Sequence, residues 1–131
     1  MGGEMRLLAV VAMMLCLSGG AHAAVGIGVF YGPPYTPSAC YRGANEGVMV
    51  AGVSAELWNN GAACGRYYTV TCIGGTNEAP HPCKPNTSVT VKVVDYCQLG
   101  CQGQINLSRD AFARIANPDA GIVRIQYFQA G

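Results

Sequence analysis

The chain has 131 residues, with Lys+Arg 8 against Asp+Glu 7 and a formal net charge of +1. This length suits one domain and not two. A near-neutral balance without a basic run argues against nucleic acid, whose phosphates need clustered Lys and Arg. The first element is a leader. Arg6 supplies positive charge, Leu7 to Leu17 is an unbroken apolar run, and Ala21-His22-Ala23 places small residues at the −3 and −1 positions of a cut. Charged start, apolar middle and A-x-A end are the three parts of a secretory signal peptide, residues 1–23. A membrane-spanning helix needs ~20 apolar residues, and this run is shorter. The mature chain, residues 24–131, is therefore expected outside the cell, with no membrane span.

Residues 25–31 (VGIGVFY) read as a strand that Gly32-Pro33-Pro34 stops, because proline lacks the ladder donor. Residues 35–47 are polar and loop-like. Residues 48–53 (VMVAGV) form an apolar run, read as a buried strand. Residues 54–61 read as a short helix, with Ser54 as N-cap and Gly61 as a left-handed stop. Residues 66–73 (RYYTVTCI) are β-branched and aromatic and read as a strand, and residues 74–86 as a Gly/Pro/Asn loop. In residues 88–95, Val89, Val91 and Val93 share one face and Thr90 and Lys92 the other, as in a half-buried strand. Residues 100–104 read as a glycine-flanked turn. Residues 108–116 read as a second helix, capped by Ser108, with Asp110 complementing its dipole and Phe112, Ile115 and Ala116 on one face. Residues 122–128 close the chain as a strand. The count is five or six strands and two short helices, which points to a compact β-barrel with helices in its crossovers.

Cys16 leaves with the leader. Cys40, Cys64, Cys72, Cys83, Cys97 and Cys101 remain. An even count in a small secreted chain reads as a disulfide framework, and six cysteines allow fifteen pairings. Zinc fits poorly, because there is no C-x-x-C pair and His81 is the only histidine after the leader. No metal or cofactor is expected.

Several stretches are specific. Leu57-Trp58-Asn59-Asn60-Gly61-Ala62-Ala63-Cys64-Gly65 is one, and Gly100-Cys101-Gln102-Gly103 followed by Ile105-Asn106-Leu107-Ser108 is another. With Phe30-Tyr31, Ser38-Ala39-Cys40-Tyr41, Val70-Thr71-Cys72 and Val94-Asp95-Tyr96-Cys97 they resemble plant natriuretic peptides, small secreted proteins related to the first domain of expansins. The resemblance spans residues 25–129. It implies a mostly β fold, a six-stranded double-psi β-barrel with two short helices, shared with family 45 endoglucanases and barwin. By the same analogy Cys40 pairs with Cys64, Cys72 with Cys83, and Cys97 with Cys101.

An inverting glycosidase needs one carboxyl group to protonate the leaving oxygen and another to activate water. Asp95 matches an aspartate that expansins keep in their groove. As a residue at a strand end it reads equally as a turn-capping aspartate. The second position is Asn106, where the family pattern is usually Ile-Asp-Leu-Ser. An amide cannot serve as a general acid, so the protein is expected not to be an enzyme. Val29 stands where threonine is commoner in the family. Tyr31 and Phe30 are candidates for stacking on sugar rings, with burial in the barrel as the commoner fate of strand aromatics. Trp58 reads as a packing residue rather than a binding platform. As substitute acids, Glu46 and Glu56 read as solvated, and Asp110 as a helix-end residue.

Tyr31, Asp95 and Asn106 are thus the groove candidates for a cell-wall polysaccharide. The resemblance also implies a mobile signal in water and solute balance, acting through a cell-surface receptor. It associates that activity with residues 37–66, which places Tyr41, Arg42, Asn45 and Glu46 as candidate contacts. A barwin-like defence role stays open. Asn86-Thr87-Ser88 and Asn106-Leu107-Ser108 are N-glycosylation sequons, and Asn86, in a loop, is the expected acceptor. The protein is expected to act as a monomer in the apoplast.

Overall fold

A computed structural model describes residues 23–97 and 101–131 of the protein. The leader reading, with Cys16, falls outside the described residues except for Ala23, as does the first residue of the expected turn at 100–104. The elements in chain order are β1 (Ala24–Tyr31), β2 (Val50–Val53), α1 (Ala55–Trp58), a 3-10 turn (Asn59–Gly61), β3 (Tyr67–Gly75), β4 (Val89–Tyr96), β5 (Ile105–Ser108), α2 (Arg109–Ile115), a second 3-10 turn (Pro118–Ala120) and β6 (Val123–Ala130).

The six strands close into a barrel in the order β1-β5-β2-β4-β3-β6. Two neighbouring pairs, β1/β5 and β2/β4, run parallel, and the other pairs are antiparallel. This is the double-psi barrel that the resemblance implied. Closure removes every sheet edge, so each strand finds backbone partners on both sides.

Strand periodicity sorts the side chains into two sets. Val70, Val91, Val93, Ile105, Leu107, Val123 and Ile125 point inward and are fully buried. Space inside is tight: a Cβ at Gly28 would stand 2.9 Å from the Ile125 side chain, so only glycine fits there. One end is closed by α2, whose Phe112 and Ile115 are fully buried. The Phe112 ring meets Phe30 at 4.7 Å. Ser108 starts α2 as expected: its hydroxyl accepts from the Ala111 N–H and donates to the Val48 carbonyl at 2.5 Å. The disulfides are Cys40–Cys64, Cys72–Cys83 and Cys97–Cys101. The bridge with the longest loop, Cys40–Cys64, ties the 32–49 connection to the segment after α1.

Four expectations need correction. The expected helix over 54–61 is a single α-turn followed by a 3-10 turn. Ser54 makes no side-chain cap bond, and the chain turns left-handed already at Asn59 and Asn60 (φ 48° and 53°) before Gly61. Asparagine tolerates that region because its short polar side chain bonds locally. The run at 48–53 pairs only from Val50, since the Val48 carbonyl is taken by Ser108. The strand over 66–73 continues through Gly74 and Gly75 across a register shift against β6. The sixth strand is β5, whose four residues carry too little periodicity to separate from the helix that follows.

Removing Phe112 leaves a large cavity in a closed barrel, so Phe112→Ala is expected to cost about 3–5 kcal/mol. Ser108→Ala loses a cap and leaves the Val48 carbonyl with one partner fewer, at about 2 kcal/mol. Denaturant unfolding of the oxidised protein checks both, and a loss below about 1 kcal/mol for Phe112→Ala contradicts the packing described.

Candidate functional site

Residues that face outward from the barrel are free of the core and available for recognition. One row of paired residues crosses four strands: Val29 on β1, Asn106 on β5, Gly52 on β2 and Asp95 on β4. Ile105 and Leu107, on either side of Asn106, are fully buried, so Asn106 faces out. Asp95 reaches the same face through an irregularity. Strict alternation would set it inward with Val89, Val91 and Val93. Between Ala51 and Gly52 the β2/β4 register shifts, so that Ala51 pairs with Val93 and Gly52 with Asp95. Val94 is the extra residue, a β-bulge that turns Asp95 to the outside.

The result is a shallow trough. Gly52 contributes no side chain, and Asn106 and Asp95 flank it from neighbouring strands. Two strand spacings separate their Cα atoms by ~10 Å. The Asp95 carboxylate accepts from the Ala39 N–H at 3.1 Å and from the Tyr96 N–H at 2.9 Å. Asp95 thus anchors the 38–40 turn, as the turn-capping reading has it, while its carbon chain lies on the outer row.

Tyr31 lies on the next outward position of β1. Its ring meets Tyr35 edge-on at 5.3 Å, and the Tyr35 hydroxyl donates to Asp110 at 2.5 Å. The Tyr31 hydroxyl is buried and has no hydrogen-bond partner among the described residues. Burial, with the charge of Asp95 and the nearby Tyr35, pushes its pKa up to about 12. This phenol stays neutral across the biological range. Tyr31 and Asp95 are brought together, while Phe30 turns into the core, as strand aromatics do.

The connection between β1 and β2 forms one wall. Lys92 fastens it: its ammonium donates to Glu46 at 3.1 Å and sits 4.6 Å from the centre of the Tyr41 ring. The Glu46 contact holds Lys92 above the usual lysine range. Glu46 was expected to be solvated; it is an ion-pair partner instead, and neither Lys92 nor Tyr35 stood out in the sequence. Arg42 and Asn45 are exposed, with Arg42 in the left-handed region (φ 53°) and the Asn45 side chain accepting from the Gly47 N–H. Trp58 stacks on Tyr96 at 5.0 Å, half-buried at the core's edge. Asn86 is exposed before β4. Among the described residues no group of three His, Cys, Asp or Glu side chains is placed to hold a metal ion, and no helix is long and apolar enough to cross a membrane.

Residues 50–127 match the family model described as "Lytic transglycolase". An EG45-like domain containing protein of Citrus jambhiri is 49% identical over 132 residues, covering 99% of this chain and 100% of that protein. The chain belongs to this expansin-like, EG45-like family. A putative EG45-like domain containing protein of Arabidopsis thaliana is 54% identical, covering 82% of this chain and 85% of that protein. Among solved structures, a Clavibacter michiganensis expansin without ligand superposes with a TM-score of 0.65 at 27% identity, over 84% of this chain and 51% of that one. This EG45-like chain thus spans about half the length of that expansin. A mutant of the same expansin in complex with cellohexaose superposes with a TM-score of 0.62 at 28% identity.

Because the fold holds Tyr31 neutral, its contribution to stability is complete below pH 10 and is lost as pH rises towards about 12. Spectrophotometric titration is expected to show a phenolate that ionises late and disappears in Tyr31→Phe. That variant removes an unpaired buried hydroxyl, so its stability at neutral pH is expected to match or exceed the native value by up to about 1 kcal/mol. A clear loss of stability in Tyr31→Phe contradicts an unpartnered hydroxyl.

Proposed function

We propose that residues 1–23 direct export and that residues 24–131 act in the apoplast as a non-catalytic module that binds cell-wall polysaccharide. One observation carries this reading: the outer row sets the Asp95 carboxylate across Gly52 from an amide, Asn106. Inverting glycosidases set two carboxyl groups ~6.5–9.5 Å apart so that one acts as acid and the other as base. Here one of the two positions is an amide, so that pair is not formed. An amide has no proton to give at useful pKa, and it keeps both donor and acceptor capacity for sugar hydroxyls.

The outer row carries groups that suit a polyhydroxyl ligand. Asn106 offers an amide and Asp95 a carboxylate, while Gly52 between them adds no side chain. Cellohexaose, a glucan oligomer, occupies the mutant Clavibacter michiganensis expansin. That complex supports a glucan as the ligand class for this trough.

The mature protein is expected to be retained on insoluble cellulose above a control protein of equal size and charge. Asn106→Ala, which loses the outward amide, is expected to weaken retention about threefold to tenfold. No reducing sugar is expected from the native chain, and Asn106→Asp serves as the comparison that restores a carboxyl group. Absence of retention on cellulose or pectin removes the binding reading, and hydrolysis by the native chain overturns the non-catalytic one.

A second reading, a plant natriuretic peptide role as a mobile signal, draws support from the β1–β2 connection. Tyr41 and Glu46 engage Lys92, which leaves Arg42 and Asn45 exposed on a segment held by Lys92 and the Cys40–Cys64 bridge. A receptor contact through these residues predicts dose-dependent protoplast swelling, abolished by Arg42→Ala with Asn45→Ala. Swelling that survives the double variant, or its absence with the native protein, sets the signalling reading aside.

A further inference from the structure

The chain carries two N-glycosylation sequons, and the fold treats them differently. Asn106-Leu107-Ser108 lies wholly within β5, between β1 and β2. Leu107 and Ser108 are fully buried, and the Ser108 hydroxyl is already donor and acceptor within the fold. A glycan on Asn106 would leave the barrel wall through the trough, between Val29 and Gly52, and fill it.

Asn86-Thr87-Ser88 is set differently. Asn86 and Ser88 are exposed, and Asn86 takes a left-handed backbone (φ 58°) in the connection between β3 and β4. The chain just before it is pinned. Cys83 is bridged to Cys72, the Lys84 N–H donates to the Ile115 carbonyl at 2.8 Å, and the Lys84 ammonium donates to the Ala113 carbonyl. The Thr87 hydroxyl donates to the Lys84 carbonyl at 2.8 Å, so it closes a short turn that projects the Asn86 side. No side-chain hydrogen bond holds Asn86 or Ser88 among the described residues. From Val89 to Asp95 the strand advances ~20 Å, so Asn86 stands near the far end of β4 from the trough.

We propose that Asn86 is N-glycosylated and Asn106 is not, so that the sugar marks the barrel end remote from the ligand trough. This rests on the export reading, because the acceptor must meet a lipid-diphosphate-linked oligosaccharide in the secretory lumen. The Asn86 Nδ2 loses a proton and bonds to the anomeric carbon. The anomeric carbon–oxygen bond to the diphosphate breaks, and the lipid diphosphate leaves with that electron pair. No oxidation or reduction takes place. The modification replaces an exposed amide hydrogen and asks nothing of the core.

The test uses the full chain expressed in a plant secretory host, with protein recovered from the medium. One glycan per chain is expected by intact mass, placed at Asn86 by the deamidation mark that enzymatic release leaves in heavy-oxygen water. It is expected to vanish in both Asn86→Gln and Ser88→Ala and to persist in Asn106→Gln. Ser88→Ala leaves the left-handed Asn86 in place, so its loss of glycan is not a folding effect. Retention of the glycosylated protein on cellulose is expected to equal that of Ser88→Ala. Exported protein that is bare at Asn86, or glycosylated at Asn106, overturns the proposal and leaves export standing. A chain that stays inside the cell overturns both.

Discussion

A closed wall of six strands has two faces, and that constraint governs the rest of the molecule. Inward positions are consumed by packing: valines, isoleucines and one leucine fill the lumen, with Phe112 entering from α2. Recognition chemistry is left to outward positions and to the connections that lie over them. Asn106 is outward because Ile105 and Leu107 are inward. Asp95 would follow Val93 inward if alternation held, and only the bulge at Val94 brings it out. One inserted residue therefore decides whether the trough contains a carboxylate. Burying that charge among valines would cost several kcal/mol or force its protonation.

The polar contacts around the trough hold its wall in place. Asp95 receives two backbone N–H groups, and Lys92 gathers Glu46 and Tyr41 from one connection. The Lys92–Glu46 pair is partly exposed, so its value lies in fixing a loop more than in adding stability. The Cys40–Cys64 bridge acts on the same connection by covalent means, limiting the freedom of the unfolded chain. A segment without regular structure is thus tied down by an ion pair, a cation–π contact and a disulfide.

Replacing a carboxylic acid by an amide separates binding from catalysis in a way that follows from proton chemistry. Asn106 and Asp95 stand on the same outer row, two strands apart. An amide can hydrogen-bond a sugar hydroxyl and cannot serve as a general acid, which is the basis of the proposed binding role. Tyr31 supplies no base either: its buried phenol stays neutral at ordinary pH.

Much of the fold was legible in the chain. Alternating valines marked β4, β-branched and aromatic residues marked β3, and Ser108 with its apolar spacing marked α2. These are local signals, set by side-chain periodicity and cap chemistry, and each element carries its own. The barrel order and the disulfide pairing came from resemblance, because closure joins residues far apart in sequence. β5 was missed as a strand, having four residues and a helix directly after it. The Glu46–Lys92 pair, the Tyr31–Tyr35 contact and the unpartnered Tyr31 hydroxyl had no sequence signal, since their partners meet only across the folded wall. Composition and spacing by themselves determined a small cysteine-rich β domain, and the resemblance singled out Asp95 among its carboxylates. The tertiary structure decided which face that carboxylate takes, because a register shift between β2 and β4 is a property of two paired strands and is written in neither alone.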